Sequence, residues 1–533
     1  MQKLWRTVVF LLFLLTLFAC SSPDTEPPPP PPPPPNTAPV LSQPDTIALV
    51  HNTLAVPEEI TVTFTATDAE DAETLLTVST AASDANAVTL AQLSCNELGE
   101  CTLGMSVQRT LPATVTVTLS VEDTRGSEVQ KSFTITVAPE EINISTGAEL
   151  KALLESSIPG ASLKIANAEP ILLDTQILLD KELTLWGSGQ EQTLLDAQNL
   201  DRHFWIKPTA KVTMHDLTLI RGNAIDDGST NQGEPLGGAI FNQGTLMLSK
   251  VRLINNRALS GGGLYNFETG QTVITDSIIG QEDAHNVATR SGGGVFNNAG
   301  RVEINSSQIS FNEGILRGGG VFNFNDGELL VESSTFFNNF SEDGTALKNE
   351  EASAIIRDTI MENNVGTRLE GGAIVNLRGE LELYDSVLKN NETLLGTGGA
   401  IYNGTSSTML IDNTVLEGNK AARAGGAIYN EVGSGLLELR NGTKILNNSA
   451  AEHGGGIYNA GSLKLSSDCQ IMTNTANTAD ASFHGGGIFN AGTFVDTPET
   501  TLNQVVTNNQ PDNVFTPPPP LMAFYRALYQ SRY

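Results

Sequence analysis

Two patterns of apolar and polar positions divide the chain. Between residues 38 and 139, short runs alternate apolar, mostly β-branched residues with threonine or serine, as over residues 60–67 and 114–121. Alternation with a period of two predicts strands that bury one face, and several such strands within about 100 residues predict a small β-sandwich. From residue 141 to about residue 510 a different pattern takes over, and it repeats.

The repeat contains a hexamer: two glycines, alanine or glycine, an aliphatic residue, an aromatic residue and asparagine. A degenerate copy at residues 344–349 fills the one long gap. The copies end at ten asparagines spaced 24 to 31 residues apart: Asn242, Asn266, Asn297, Asn323, Asn349, Asn376, Asn403, Asn430, Asn459 and Asn490. A second element places asparagine three positions after an aliphatic residue, as at Leu253 and Asn256. With the alternating run between these elements, each repeat predicts three strands and three turns.

A repeat of about 27 residues predicts one coil of a parallel β-helix, because a propeller blade needs about 40 residues and a leucine-rich repeat has a different frame. Coils stack about 4.8 Å apart, so equivalent side chains form columns, and about 12 coils would make a rod of about 55–60 Å. The aliphatic column should fill the interior. The asparagines lie two residues further on, share the interior face, and are expected to hydrogen-bond to one another along the column.

These motifs resemble known families. Four copies read Gly-Gly-Ala-Ile, beginning at Gly237, Gly371, Gly398 and Gly425, and with the Phe-x-x-Asn element they resemble the repeats of polymorphic outer-membrane proteins. More broadly, residues 141–510 are similar to the pectate-lyase-like superfamily. The resemblance implies an all-β fold, a right-handed parallel β-helix of about 12 coils that follows the small β-sandwich. It implies no single chemistry, since the superfamily includes lyases, hydrolases, adhesins and phage tailspikes.

Both ends of the β-helix carry signals of their own. Thr146 and Glu149 form a capping box ahead of a short helix with an apolar stripe, which resembles the N-terminal cap of the superfamily. Residues 511–533 form a proline-rich C-terminal tail, and their aromatic-rich end is compatible with either a second cap or a frayed segment.

The N-terminal residues resemble an export signal. Residues 1–19 have a basic start and then an apolar stretch too short to span a bilayer, as in a secretory signal peptide. The following Cys20 completes a motif that resembles the lipobox of bacterial lipoproteins, which implies that Cys20 is lipidated and anchors the protein to a membrane. An ordinary cleaved signal is the alternative. Residues 20–37 then supply the lipidated cysteine and a stalk with nine consecutive prolines, so we expect an exported lipoprotein at the outer membrane or cell surface.

Residues 38–139 resemble the Ig-like and cadherin-like modules of bacterial surface proteins. The segments that carry the resemblance are residues 36–39, 68–73 and 123–126. It implies calcium as the one possible cofactor, with Asp68, Asp71 and Asp123 as candidate ligands, although the full ligand set is missing and a solvated acidic loop is the alternative. Cys95 and Cys101 flank a short loop and predict a disulfide in an oxidising compartment, whereas Cys469 predicts a buried small residue.

Charge narrows the class of partner. The chain has 60 acidic and 30 basic residues, a formal net charge of −30, and no basic run. This composition excludes a nucleic-acid partner, because phosphate binding needs concentrated lysine and arginine. The net negative charge is better explained as keeping the surface of the rod soluble.

Three groups of residues are candidates for chemistry. The aromatic column faces away from the core, and its members Tyr402, Tyr429, Tyr458 and Phe489 could stack on sugar rings; a purely stabilising ladder is the alternative. The position before the glycines, with His453 and His484 among its residues, suggests a metal or pH-sensitive site or a solvated rim. Asp226, Asp227 and Arg221 are weak candidates for a catalytic site, because the insertion at residues 224–235 interrupts the repeat.

The sequence therefore predicts a surface-displayed, lipid-anchored β-helix protein that acts in adhesion, carbohydrate binding or envelope structure. Its expected partners are the membrane, through the N-terminal lipid, and a polysaccharide or a host or cell-surface glycan. The alternative is an extracellular polysaccharide lyase or glycoside hydrolase of the pectate-lyase-like fold. The regular columns favour the binding protein, because an active site normally interrupts a repeat.

Overall fold

The computed structural model describes residues 36–530, except residues 51–56, 73–74, 109–112, 139, 168, 226–234, 369, 478 and 480–481. Over these residues it is mostly β, with a small sandwich followed by a long parallel β-helix. The predicted signal peptide, Cys20 and most of the polyproline stalk lie outside the described residues, and so do Asp226 and Asp227.

The sandwich consists of two four-stranded sheets. One is antiparallel, in the order Val40–Leu41, Glu58–Thr67, Glu100–Val107 and Val88–Cys95. The other has the order Ile47–Val50, Glu128–Ala138, Ala113–Glu122 and Thr77–Ala82, with only its first pair parallel. Valine, leucine and phenylalanine from the alternating runs form the core between the sheets, and the threonines point outward. A disulfide joins Cys95 to Cys101 across neighbouring strands.

The β-helix has thirteen coils, counted on the sheet built from the hexamers. We call this sheet the hexamer face. Its strands are Ile177–Leu179, Phe204–Ile206, Ile240–Asn242, Leu264–Phe267, Val295–Asn298, Val321–Phe324, Leu347–Glu350, Ile374–Leu377, Ile401–Asn403, Ile428–Asn430, Ile457–Asn459, Ile488–Asn490 and Val514–Phe515. All of its pairings are parallel and in register, so each column predicted from the repeat is a physical stack.

The alternating runs form a second face. Its strands are Glu140–Asn143, Ala161–Ala166, Leu183–Trp186, Lys211–Ile220, Thr245–Ile254, Gln271–Thr275, Arg301–Asn305, Glu328–Glu332, Ser353–Arg357, Glu380–Tyr384, Thr408–Asp412, Leu436–Arg440, Ser462–Leu465 and Thr493–Phe494.

The second sequence element forms a third face. Lys211–Ile220 and Thr245–Ile254 turn the corner and continue into it. The other strands of the third face are Ile171–Leu172, Leu194–Asp196, Ile278–Ile279, Gln308–Ser310, Thr335–Phe337, Ile360–Glu362, Val387–Lys389, Val415–Glu417, Lys444–Leu446, Gln470–Met472 and Val506–Thr507.

Among the described residues, eight coils contain a fourth strand, so the expectation of three strands per repeat was wrong for them. These strands are Arg257–Ser260, Val287–Ser291, Glu313–Arg317, Phe340–Asp343, Val365–Gly366, Glu392–Thr393, Lys420–Ala421 and Ser449–Ala450. Their inward residues are small, for example Ala288, Gly314 and Ser341, all buried. Small inward residues leave no apolar alternation in the sequence, which explains why the pattern did not reveal this strand.

Buried amide ladders tie the coils together. The ten hexamer asparagines form an unbroken chain in which each Nδ2 donates to the Oδ1 of the next coil, over 2.7 to 3.1 Å. A second ladder runs in the same way from Asn256 to Asn509 on the other side of the interior. A third column, at the corner between the second and third faces, has serine and threonine hydroxyls that accept from backbone N–H groups of the preceding coil. Buried polar groups are thereby paired from coil to coil.

The glycine pair has a steric origin. Gly398, the first glycine of its hexamer, has φ +71°, a left-handed conformation that only glycine adopts without strain. At Gly399, the second, an added Cβ would meet the carbonyl oxygen of Gly426 in the next coil. The first glycine thus serves the turn and the second allows the close approach of the coils.

Helices lie near both ends of the coil stack. At the start, α1 (Gly147–Ser156) has the predicted capping box between Thr146 and Glu149, and its Leu150 and Leu154 are buried in the core. Towards the other end, α2 (Glu499–Val505) precedes the last coil, whose strand Val514–Phe515 lies within the segment expected to be a tail. The last described element is α3 (Pro519–Gln530). None of the helices in the described part of the chain is long and apolar enough to cross a bilayer.

The asparagine ladder leads to a prediction about the stability of the fold. The Asn376 side chain accepts a hydrogen bond from Asn349 and donates one to Asn403. Asn376→Ala removes both bonds and leaves the buried amide groups of its two neighbours unpaired. The free energy of unfolding should fall by about 1–3 kcal/mol or more, measured by chemical denaturation. Asn503→Ala, at an exposed position of α2, is the control and should change little. Equal denaturation midpoints for the two variants would contradict a stabilising role for the ladder.

Candidate functional site

The aromatic column is a buried stack. Tyr402, Tyr429, Tyr458 and Phe489 lie on the outer side of the hexamer face, with ring centroids 5.0 to 5.3 Å apart and near-parallel planes. Each of the four rings is at most 3% exposed. Their faces are occupied by one another, so they do not form an open platform for a sugar ring, and the column serves stability in this arrangement.

Helix α3 covers the outer side of this column near its last rings. The Tyr525 ring lies 5.1 Å from Phe489, edge to face, and Arg526 Nε donates to the Ala491 carbonyl over 2.6 Å. The aromatic-rich end of the chain therefore folds back as a cap. It contacts the side of the hexamer face, over the last coils.

His453 lies beneath this cap. It is 2% exposed, and its ring contacts Phe489, Phe483 and Tyr525 at centroid distances of 4.3 to 5.2 Å. Its Nδ1 accepts a hydrogen bond from the backbone N–H of His484, so the proton of the neutral ring is on Nε2. Burial lowers the pKa of His453 to about 4. His484 instead faces Asp512, with 3.3 Å between Nδ1 and Oδ2, so the two histidines do not converge on one point.

The aromatic column is interrupted at Lys348 and Val375, in two successive coils. Lys348 is 3% exposed in its side chain and is surrounded by the carboxylates of Asp343, Glu350 and Glu370. Two of these acids, Asp343 and Glu370, occupy the position before the glycines. The rim that the sequence analysis expected to be solvated is thus partly buried at this point.

A depression of about 310 Å³ lies on the outer side of the second face. It forms where Ser353, a small residue, stands in register between Glu328 and Glu380 of the neighbouring coils. Its lining consists of Arg301, Glu328, Leu329, Leu330, Ser353, Ala354, Ile355, Arg357, Glu380 and Glu382. We call this depression the groove. Apolar side chains and charged groups of both signs together suit a polar ligand with an apolar face.

Ion pairs order the charged groups around the groove. Arg301 contacts Glu303 at 2.6 Å and Glu328 at 3.1 Å, and Arg357 contacts Glu332 at 3.3 Å. The Tyr384 hydroxyl donates to Glu382 over 2.8 Å, a bond that raises the tyrosine pKa. Three glutamates against two arginines line the groove, so its local charge does not favour a polyanion.

The weak catalytic candidates do not assemble in the described residues. Arg221 is held by both carboxylate oxygens of Asp196, and this pairing raises its pKa further, which makes it unsuited as a base. Asp226 and Asp227, its expected partners, fall outside the described residues.

The candidate calcium ligands are engaged by the protein itself. Asp68 accepts from the backbone N–H groups of residues 70 and 71, Asp71 accepts from Thr124, and Asp123 accepts from Asn36. The described residues contain no group of three or more histidine, cysteine, aspartate or glutamate side chains placed to hold a metal ion.

Sequence reasoning missed both the groove and the acid shell of Lys348. Glu328, Ser353 and Glu380 of the groove come from successive coils, as do Lys348 and Glu370 of the shell, and they meet because the coils are in register. The repeat map did contain one signal, namely the lysine that replaces an aromatic residue at the degenerate copy, residues 344–349.

Comparison with known protein families gives a match within the repeats. Residues 413–431 match the model of the Chlamydia polymorphic membrane protein (Chlamydia_PMP) repeat. That segment ends on one Gly-Gly-Ala-Ile-Tyr-Asn hexamer. No curated protein matches the chain significantly.

One solved structure is similar in part. An alginate lyase from Paenibacillus sp. str. FPU-7 is matched over 60% of this chain and 94% of the lyase chain, with 12% identity and a TM-score of 0.24. A similarity at this level carries no argument about activity.

The buried His453 leads to a prediction about how stability depends on pH. Its pKa in the folded state is about 4, below the ordinary value of about 6.5, so the unfolded state binds the proton first. This residue therefore lowers stability as the pH falls from about 6.5 to about 4, by on the order of 3 kcal/mol in total. His453→Gln should reduce this loss of stability, which is measured from the unfolding midpoints at several pH values across that range. The control is His285→Gln at an exposed position. Identical pH profiles for wild type and His453→Gln would rule out this role.

Proposed function

We propose that this protein is a lipid-anchored rod displayed on the outer membrane or cell surface, where it binds a glycan in adhesion or envelope assembly. The observation that carries the proposal is the continuity of the coil stack: the asparagine ladder runs without a break through ten successive coils. The interior side chains of the stack are nearly the same in every coil, whereas the outer side chains vary. This arrangement is expected of a scaffold that displays a binding surface.

Two further features support placement at a surface. The match to a polymorphic membrane protein repeat lies within the rod. The disulfide between Cys95 and Cys101 fits an oxidising compartment outside the cytoplasm. In this proposal the sandwich and the proline stalk space the rod from the lipid on Cys20.

The groove is the proposed glycan site. Leu330 and Ile355 offer an apolar floor for a sugar ring, and Arg301, Glu380 and the other charged groups offer donors and acceptors for hydroxyls. Because glutamates outnumber arginines in the lining, we expect a neutral glycan rather than a polyuronate.

Membrane anchoring can be tested directly. Cells that express the full chain should incorporate labelled palmitate into it, and Cys20→Ser should abolish the label. Cys469→Ser, at a buried cysteine, is the matched control and should retain it. Protease added to intact cells should degrade the wild-type rod. Label that persists in Cys20→Ser, or full protection from protease, would contradict the anchored, displayed state.

Glycan binding can be tested by filling the groove. Ser353→Trp should abolish binding to a panel of neutral glycans. Ser462→Trp, at the equivalent strand position of a distant coil, should not. Arg301→Ala should weaken binding about tenfold or more, since a charged hydrogen bond contributes about 1.5–3 kcal/mol. Equal binding by the two tryptophan variants, or preference for polyuronates, would reject the groove as this site.

One observation favours a second function, glycoside hydrolysis. Glu328 and Glu380 flank Ser353 two coils apart, which places their backbones about 9–10 Å from each other. Inverting glycosidases hold two carboxyl groups about 6.5–9.5 Å apart across the bond they cleave. Release of reducing sugar by the wild type, lost in Glu380→Gln while binding persists, would favour the enzyme over the binding protein.

A further inference from the structure

The acid shell of Lys348 brings reactive groups together away from water. The lysine Nζ lies 3.3 Å from Glu370 Oε2, 3.7 Å from Glu350 Oε2 and 4.0 Å from Asp343 Oδ2. Side-chain exposures are 3% for the lysine and 8 to 14% for the three acids. Phe322 and Val375 lie before and after Lys348 in its column.

The three acids are not equivalent. Arg378 pairs with the other oxygen of Glu350 at 2.6 Å, and Arg317 approaches Glu350 at 3.9 Å. Glu350 therefore has two arginine partners in addition to Lys348, whereas Asp343 and Glu370 pair with Lys348. Burial raises the pKa of Asp343 to about 6, and the Glu370 charge adds to this although Lys348 opposes it, so Asp343 can carry a proton near neutral pH. The shell therefore contains an amine, a nearby acyl group and a proton carrier.

We propose that Lys348 and Glu370 condense to an isopeptide bond that links two successive coils. Lys348 Nζ attacks the Glu370 carboxyl carbon, the N–C bond forms and one C–O bond breaks. Of the three ammonium protons, one stays on the amide nitrogen and two leave with the carboxylate oxygen as water. Charge balances, since an ammonium and a carboxylate become a neutral amide. Glu350 accepts one amine proton, Asp343 delivers its own proton to the leaving oxygen, and the second amine proton passes to the same oxygen. The proton on Glu350 then restores Asp343, so no outside reagent is needed.

Proximity favours this reaction. Groups held about 3–3.5 Å apart in an attack geometry react with effective molarities of about 10⁵–10⁸ M. The lysine side chain is only 3% exposed, which limits the access of water to its nitrogen. The bond would stabilise the point where the aromatic stack is interrupted, and it replaces one buried ammonium–carboxylate pair with a neutral amide.

Peptide mapping of the full chain tests the proposal. Trypsin cannot cut after an acylated lysine, so residues 318–357 should remain one peptide, joined to residues 369–378, with the mass of one water missing. Separate peptides 318–348 and 369–378 of ordinary mass would overturn the proposal. Loss of water within 318–357 alone would also overturn it, because the acyl partner would then be Asp343 or Glu350.

An exposed ion pair supplies the internal control. Lys389 and Glu362 are 3.0 Å apart, but their side chains are 38% and 31% exposed. Trypsin should cut after Lys389 in the same digest, and a link at this pair as well would indicate unselective dehydration and overturn the proposal. Lys348→Arg keeps a positive charge and should give peptide 369–378 unlinked. Asp343→Asn should lower the linked fraction severalfold, whereas an unchanged fraction would overturn its role as proton carrier.

Discussion

The structure depends on the in-register stacking of parallel coils about 4.8 Å apart. At that spacing one asparagine amide reaches the next, and the hexamer asparagines form a continuous hydrogen-bonded chain inside the rod. An unpaired buried amide costs far more than a paired one contributes. Each asparagine therefore holds its neighbours in place, and a shift of one coil by one residue would unpair several groups together.

The same register shapes the outer surface. Side chains at equivalent positions stand side by side, so charges of one sign in a column would repel. The chain instead pairs opposite charges between coils, as in Glu332 with Arg357 and Glu392 with Lys420. Exposed pairs of this kind contribute only about 0–1 kcal/mol each. Their main effect is to let a strongly acidic chain stack without repulsive columns.

Aromatic residues use the register differently. From Tyr402 to Phe489, rings one coil apart stack with their planes nearly parallel, whereas Phe296 and Phe322 meet edge to face. Both arrangements bury apolar area on a face that points away from the core. Helix α3 covers the last rings of the stack from outside, and the stack is interrupted where Lys348 replaces a ring. The hexamer face is thus a second, outer core rather than an open ligand platform, and the depression on the second face is the more open site.

The sequence by itself determined the β-helix, its columns, the N-terminal capping box and the amide ladder. Their residues recur at the same place in every repeat, so each copy reports the same local environment. Tertiary structure decided the fourth strand, whose inward residues are too small to produce a pattern, and the fold-back of α3. It also decided which outer residues meet, as Glu328, Ser353 and Glu380 do in the groove. Those contacts join residues about one coil apart through register, and local periodicity does not encode which variable side chains become neighbours.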